Sequence, residues 1–217
     1  MQMVIIGASG FIGAALTAEA LQRGHQVRAL VRDASKLQAL AQQYPQQLQV
    51  VSVDVFDSAA LIPLLRDQAL VMSAFSGHSD ADVSGYYQRG FASILQAVKQ
   101  SGVARFLLVG GAASLQLPDG SMVLDSPNFP AAYRGSAEGA YAALQQLRTE
   151  TTINWSYLSP AAEIFPAPAT GQFRLGGDAL LTDQHGHSRI STGDYAVALL
   201  NEAEQPAHRG RRFSVAY

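Results

Sequence analysis

Val4-Ile5-Ile6-Gly7-Ala8-Ser9-Gly10-Phe11-Ile12-Gly13 is an apolar run that breaks into glycines at 7, 10 and 13 and then passes into a helical pattern. Residues 3–6 have the character of a buried strand, and residues 11–23 carry Ile12, Leu16 and Ala20 at helical spacing before a stop at Gly24. A strand that turns sharply into a helix leaves backbone N–H groups without partners at the positive end of the helix dipole. That setting suits the pyrophosphate of a dinucleotide. In this reading Gly7 allows the sharp turn, Gly10 lets the backbone approach phosphate, and Gly13 lets helix and sheet pack closely, with Ser9, Phe11 and Ile12 completing the cofactor turn. Glycine serves many tight turns, so it is the strand before and the helix after that single out the cofactor reading.

The alternation continues outward from this unit. Further strands are expected at residues 25–31, 48–53, 69–75 and 105–109. Between them, Leu37, Leu40, Ala41 and Tyr44 form a helical stripe closed by Pro45, residues 58–66 form a short helix containing Pro63, and Tyr87, Phe91, Ile94, Leu95 and Val98 mark a longer helix ending at Gly102. The nearly unbroken apolar run at 105–109 fits a strand covered by helices on both faces, so the order predicts an α/β fold with a doubly wound parallel sheet. Past it come a proline-bearing loop at 117–130, a helix at 131–148 and a strand at 153–158. Residues 161–190 lack a helical stripe and read as a small hairpin or irregular cap; a helix at 194–204 and a last strand at 212–215, added to the sheet edge, follow. The expected organisation is one domain over 1–217, with 117–130 and 160–190 as substrate-side loops and a small C-terminal capping segment.

Composition narrows the function classes. A chain of 217 residues with 48% apolar and 15% charged content can bury a substantial core. Its net charge of −2 supplies no basic excess for nucleic acid or an anionic membrane, so neither partner is expected. No apolar run approaches membrane-spanning length and the first strand leaves no room for a signal peptide, which points to a cytoplasmic protein. The absence of cysteine excludes disulfides, thiol nucleophiles, thiolate zinc sites and iron–sulfur clusters, so redox chemistry would need a bound cofactor. His185 and His187 lie two apart in a polar turn with no third ligand close in sequence; they read as solvent-facing residues, and no metal is expected.

At the end of the second strand, where an acidic side chain would accept from the ribose 2′-hydroxyl of NAD, register places Val31. Arg32 follows at once and Lys36 comes a turn later, two cations able to meet a 2′-phosphate, so NADP(H) is favoured over NAD(H). The same two residues also fit ordinary surface cations, and a shift of one residue would make Asp33 the ribose acceptor. Asp54 is placed to accept from the adenine amino group with Val55 packed on the ring, or else to cap a turn. Ala74, Phe75, Ser76 and Gly77 let the backbone pass close to the nicotinamide side of the cofactor.

The chain resembles the atypical short-chain dehydrogenase/reductases related to NmrA, and within them the proteins provisionally labelled NADH-flavin reductases. The resemblance is carried by residues 7–13, 23–32, 54–57 and 109–115, then by 125–130, 158–163, 171–178, 189–191 and 194–196. It spans nearly the whole chain and implies a Rossmann fold that binds NAD(P)(H), with the substrate cleft over the carboxyl ends of the strands.

Short-chain reductases of the ordinary kind protonate a carbonyl with a Tyr-x-x-x-Lys pair. Here Tyr86 is followed four residues later by Gly90, Tyr87 by Phe91, Tyr133 by Ala137 and Tyr141 by Gln145, so the pair is missing. Hydride transfer to a flavin, quinone or similar planar acceptor needs orientation more than an acid, because the ring delocalises charge and takes its proton from water. Ser114 is the candidate hydroxyl near the nicotinamide, Tyr133 and Arg134 are candidate substrate contacts, and Pro160, Ala161 and Glu163 are placed to line the nicotinamide end. Bland readings stand beside each: a turn cap for Ser114, a packed interface for Tyr133, a solvated Glu163. Tyr87 and Tyr195 fit core-facing helix positions, and Trp155 packing against a helix. The expected activity is an NAD(P)H-dependent reductase acting on a small-molecule acceptor, as a monomer or homodimer. The alternative is a noncatalytic NADP(H)-binding sensor, for which a large exposed apolar patch would be expected.

Overall fold

The strand opening the chain lies inside the sheet and sets its two faces. In a computed structural model, which describes residues 1–77 and 80–217, β1 (Gln2–Ile6) leads into α1 (Phe11–Gln22), followed by β2 (Gln26–Val31), α2 (Gln38–Gln43) and β3 (Leu48–Ser52). The chain then crosses back through α3 (Ser58–Leu65), β4 (Leu70–Ser73), α4 (Val83–Ser101), β5 (Phe106–Val109), α5 (Ala131–Arg148) and β6 (Trp155–Ser159). Short β7 (Glu163–Phe165), β8 (Arg174–Gly176) and β9 (Arg189–Ser191) precede α6 (Thr192–Glu204) and β10 (Arg211–Ala216). The main sheet runs β3-β2-β1-β4-β5-β6-β10-β8, parallel except for β8 on β10, which is a Rossmann-type doubly wound order. Since β1 is flanked by β2 and β4, the winding direction reverses there and opens a crevice at the carboxyl ends of the strands.

Alternation along β1 divides the core. Met3 and Ile5 join Leu16 and Ala20 of α1 and Tyr195 and Leu199 of α6 on one face. Val4 and Ile6 join Leu61 of α3, Phe91 and Ile94 of α4 and Leu144 of α5 on the other. Both faces are covered, so β1 is apolar at every position from Met3 to Ile6, each 0% exposed. Helix ends follow local chemistry: α4 stops where Gly102 takes φ +74°, and Pro63 lies within the last turns of α3, where Arg28 donates to the Leu64 carbonyl at 2.6 Å. Tyr87, Tyr195 and Trp155 are buried as their spacing suggested. Among the described residues no helix is long and apolar enough to cross a membrane.

One expectation for the second half is corrected and another is narrowed. β10 is not the sheet edge: it pairs with β6 on one side, and β8 adds antiparallel on the other. Gly176 permits this, since a Cβ there would meet Ser214 Oγ at 2.9 Å. Of the hairpin and the irregular cap open for 161–190, the hairpin is excluded, because β7 and β9 pair in parallel, Ile164 opposite Ile190, and β8 joins the main sheet.

Backbone packs closely on backbone at the first turn, where a Cβ on Gly13 would lie 2.0 Å from the Gly7 carbonyl oxygen. Backbone on both sides cannot yield cheaply, so Gly13→Ala should destabilise by about 2 kcal/mol and lower the melting temperature by roughly 6 °C. A melting temperature equal to that of the parent protein would contradict this packing.

Candidate active site

The glycine turn is held from both sides. Gly7 N–H donates to the Leu30 carbonyl of β2 (2.9 Å) and Ala74 N–H to the Ile6 carbonyl of β1 (2.9 Å). Gly7 has φ +77°, and a Cβ on it would lie 2.8 Å from the Ala74 carbonyl oxygen, so both conformation and proximity demand glycine. Gly10 N–H returns to the Gly7 carbonyl (3.0 Å) and the Gly10 carbonyl accepts from Ala14 N–H (2.8 Å), which starts α1. No side chain caps this start, whereas Asp57, Asp82 and Ser191 cap α3, α4 and α6 by accepting from Ala60, Gly85 and Asp194 N–H at 2.9 Å each. The first-turn amides of Phe11, Ile12 and Gly13 are therefore the donors that a helix leaves for an anion, and exposed Gly10 and Phe11 open the approach to them. These residues fit a dinucleotide diphosphate. α5 also begins without a side-chain cap, at Pro130.

On the β2 side, Val31 is the last strand residue and is buried, while Arg32, Asp33 and Lys36 are exposed. Asp33 Oδ1 accepts from Ser35 N–H (3.0 Å) and Ser35 Oγ (2.6 Å), capping a 3-10 turn at Ala34–Leu37 through one of its two carboxylate oxygens. The Ser35 hydroxyl and amide hold the Asp33 pKa below the ordinary carboxylate value. Asp54 accepts from Phe56 N–H at 3.0 Å, the turn-capping role. Val55 does not face an adenine site; it is buried in the core with Leu30, Leu61 and Tyr87. Phe56 is exposed instead, its ring edge-on to Tyr86 (4.8 Å, 75°) and Phe75 (6.3 Å, 89°). The signal that could have found it is an aromatic residue in an otherwise acidic turn, Asp54-Val55-Phe56-Asp57.

Past β4, Ala74 forms part of the crevice wall, Ser76 is exposed, and Phe75 and Gly77 are pressed onto α4. A Cβ on Gly77 would lie 2.4 Å from the Val83 carbonyl oxygen, and one on Gly90 2.4 Å from the Phe75 ring. Pro160 and Ala161 are buried after β6, while Glu163 is exposed and paired with Arg189 at 2.9 Å. Tyr133 is 61% exposed in the first turn of α5, and Arg134 stands 5.6 Å over the Phe129 ring. Ser114 is drawn outward to β10: it is buried, and its Oγ accepts from Arg212 Nη1 at 3.2 Å, a structural task in place of the expected one beside the nicotinamide. Arg212 in turn pairs with Asp178. His187 pairs with Asp183 at 3.4 Å in an exposed turn, and among the described residues no group of three or more His, Asp or Glu could hold a metal ion.

One group escaped the sequence. Tyr157, fully buried on β6, accepts from Gly111 N–H (2.9 Å) and donates to the Ala140 carbonyl of α5 (3.1 Å). Burial pushes its phenol up to about 12. Inside an apolar run such a residue reads only as core.

Comparison with known proteins agrees with this geometry. Residues 7–203 match the NAD(P)H-binding family. The uncharacterised protein YwnB of Bacillus subtilis is 36% identical over 99% of this chain and 98% of its own. A crystal structure from Bacteroides thetaiotaomicron, of a protein provisionally named an epimerase, superposes with TM-score 0.91 at 36% identity over 99% of this chain and 96% of that one. A Streptococcus pneumoniae protein provisionally named an NADH-flavin reductase superposes with TM-score 0.85 at 31% identity, covering 100% and 99%.

Gly10 has unstrained dihedrals (φ −78°, ψ 177°), and a Cβ there would come no nearer than 3.2 Å to the Gly7 carbonyl oxygen. Gly10→Val should thus leave the melting temperature within about 3 °C of the parent while weakening NADPH binding ~100-fold by fluorescence titration. Retained affinity would show that the turn faces something else.

Proposed function

Because the chain belongs to the NAD(P)H-binding family, we propose that it is an NADP(H)-dependent oxidoreductase that passes hydride to a flavin, quinone or similar planar acceptor. The observation that carries the reading is the uncapped start of α1 at the switch point of the sheet. Phe11, Ile12 and Gly13 N–H would grip the diphosphate, and Arg32 and Lys36 would receive the 2′-phosphate while Asp33 stays engaged with Ser35. When bound, the reduced nicotinamide supplies a hydride equivalent; the chain's own task is to orient the acceptor and exclude water.

The missing proton-donor pair supports an acceptor that does not need a protein acid. The sequence holds no Tyr-x-x-x-Lys pair, Tyr87 has its phenol pushed upward by burial, and Ser114 is committed to Arg212. A planar conjugated ring spreads the incoming charge and takes its proton from solvent, so it does not depend on such a pair. The reductase name of the Streptococcus pneumoniae protein points the same way.

Two measurements test the reading. NADPH should bind more tightly than NADH, and Arg32→Ala should remove about tenfold of that difference, the scale of one charge-assisted phosphate contact. Equal affinities in the parent protein would reject the 2′-phosphate assignment. NADPH oxidation should occur with at least one of FMN, riboflavin or a quinone; tight NADPH binding with no turnover would replace the enzyme by a noncatalytic sensor of the cofactor ratio.

A further inference from the structure

The carboxyl ends of β5 and β6 are gripped by two buried phenols, one from each face of the sheet. Tyr157 lies on the α5 face and bonds Gly111 N–H and the Ala140 carbonyl. Tyr195 rises from α6 on the opposite face, and its hydroxyl donates to the Leu158 carbonyl at 2.7 Å. That carbonyl also accepts from Gly110 N–H at 2.8 Å, so the two tyrosines meet at a single peptide ladder joining the exits of both strands. The fit is close: a Cβ on Gly110 would lie 2.1 Å from the Tyr157 ring, and one on Gly111 3.3 Å from Ala140 Cβ. Both side chains are 0% exposed.

A tyrosine in such a core normally contributes by its ring, and a phenylalanine would fill the same space. The hydroxyls cost desolvation that only well-made hydrogen bonds offset. Here each hydroxyl is spent at the rim of the crevice: Gly111 begins the segment leading out of β5, and Leu158 stands two residues before Pro160. α5 is set by the same bond, since Ala140 lies in its middle while Gly135 and Gly139 let it close on Val83 and Tyr87 of α4. The exposed Tyr133 at the head of α5 thus has its distance from the β5 exit fixed through Tyr157.

We propose that Tyr157 and Tyr195 are positioning residues for hydride transfer: their hydroxyls hold the Gly110-Gly111 exit of β5 and the Leu158 exit of β6 at the separation the acceptor requires. Neither touches the reacting atoms, and neither serves as an acid. Their effect lies where nicotinamide and acceptor would meet, away from the α1 amides that would hold the diphosphate, so cofactor affinity and acceptor use are separable. The inference rests on the reductase reading.

The test uses Tyr157→Phe, which keeps the ring against Gly110 and removes only the hydroxyl. NADPH affinity should stay within about twofold of the parent, while kcat/KM for whichever of FMN, riboflavin or a quinone the parent turns over fastest should fall roughly tenfold, the scale of a small misplacement of reacting groups. Hydrogen exchange at the Gly111 amide should rise in the same variant. Tyr195→Phe, acting from the other face, should lower kcat/KM in the same direction and serves alone if Tyr157→Phe does not fold. A lowered melting temperature with unchanged kcat/KM would make the hydroxyls purely structural and overturn the proposal. A parent protein that binds NADPH yet reduces none of these acceptors would remove the reductase reading itself, a separate outcome.

Discussion

Three backbone segments converge within van der Waals distance at Gly7, Gly13 and Ala74, and the chemistry at the carboxyl edge depends on that convergence. Just past β4, the Ala74 carbonyl presses against the place where Gly7 would carry a Cβ, and the Gly7 carbonyl in turn presses against Gly13. The turn has no room to relax, so its backbone groups point where the geometry sends them. Gly7 and Gly10 find partners within the fold, and the next amides, at the positive end of α1, meet no capping side chain. A helix that starts this way inside a protein would be destabilised; at an open crevice its amides are donors suited to an anion.

Burial pattern explains why the first half of the fold was legible in the sequence. Strands covered on both faces are continuous apolar runs, and helices covered on one face carry a stripe, so β1 through β5 and their helices could be placed from hydrophobic spacing. The segment after β6 gave a different signal because β7, β8 and β9 have three residues each, too few to show a period. β10 looked like an edge because nothing local reveals that Arg174–Gly176 returns to pair with it. That pairing sets Gly176 opposite Ser214 across the ladder, a tertiary fact with no local trace.

The site divides along the same line. Glycines at 7, 10 and 13 are read from local pattern; the packing demands Gly7 and Gly13, whereas the fold itself leaves room for a side chain at Gly10. Side chains named for their position just past a strand fared differently, because a loop residue's direction is set by its distant partners. Ser114 is claimed by Arg212, ninety-eight residues later in the chain, and Val55 turns inward while Phe56 turns out. Tyr157 and Tyr195 show the converse: core residues by every sequence criterion, they carry their hydroxyls to the rim of the crevice.

A proton–nitrogen correlation NMR titration of the labelled protein with NADPH addresses the founding interaction without requiring any acceptor. The amides of Ser9, Phe11, Ile12 and Gly13 should show the largest shifts, because a diphosphate placed against the start of α1 polarises those N–H bonds first. Saturable binding that moves other residues and leaves these four resonances in place would contradict it.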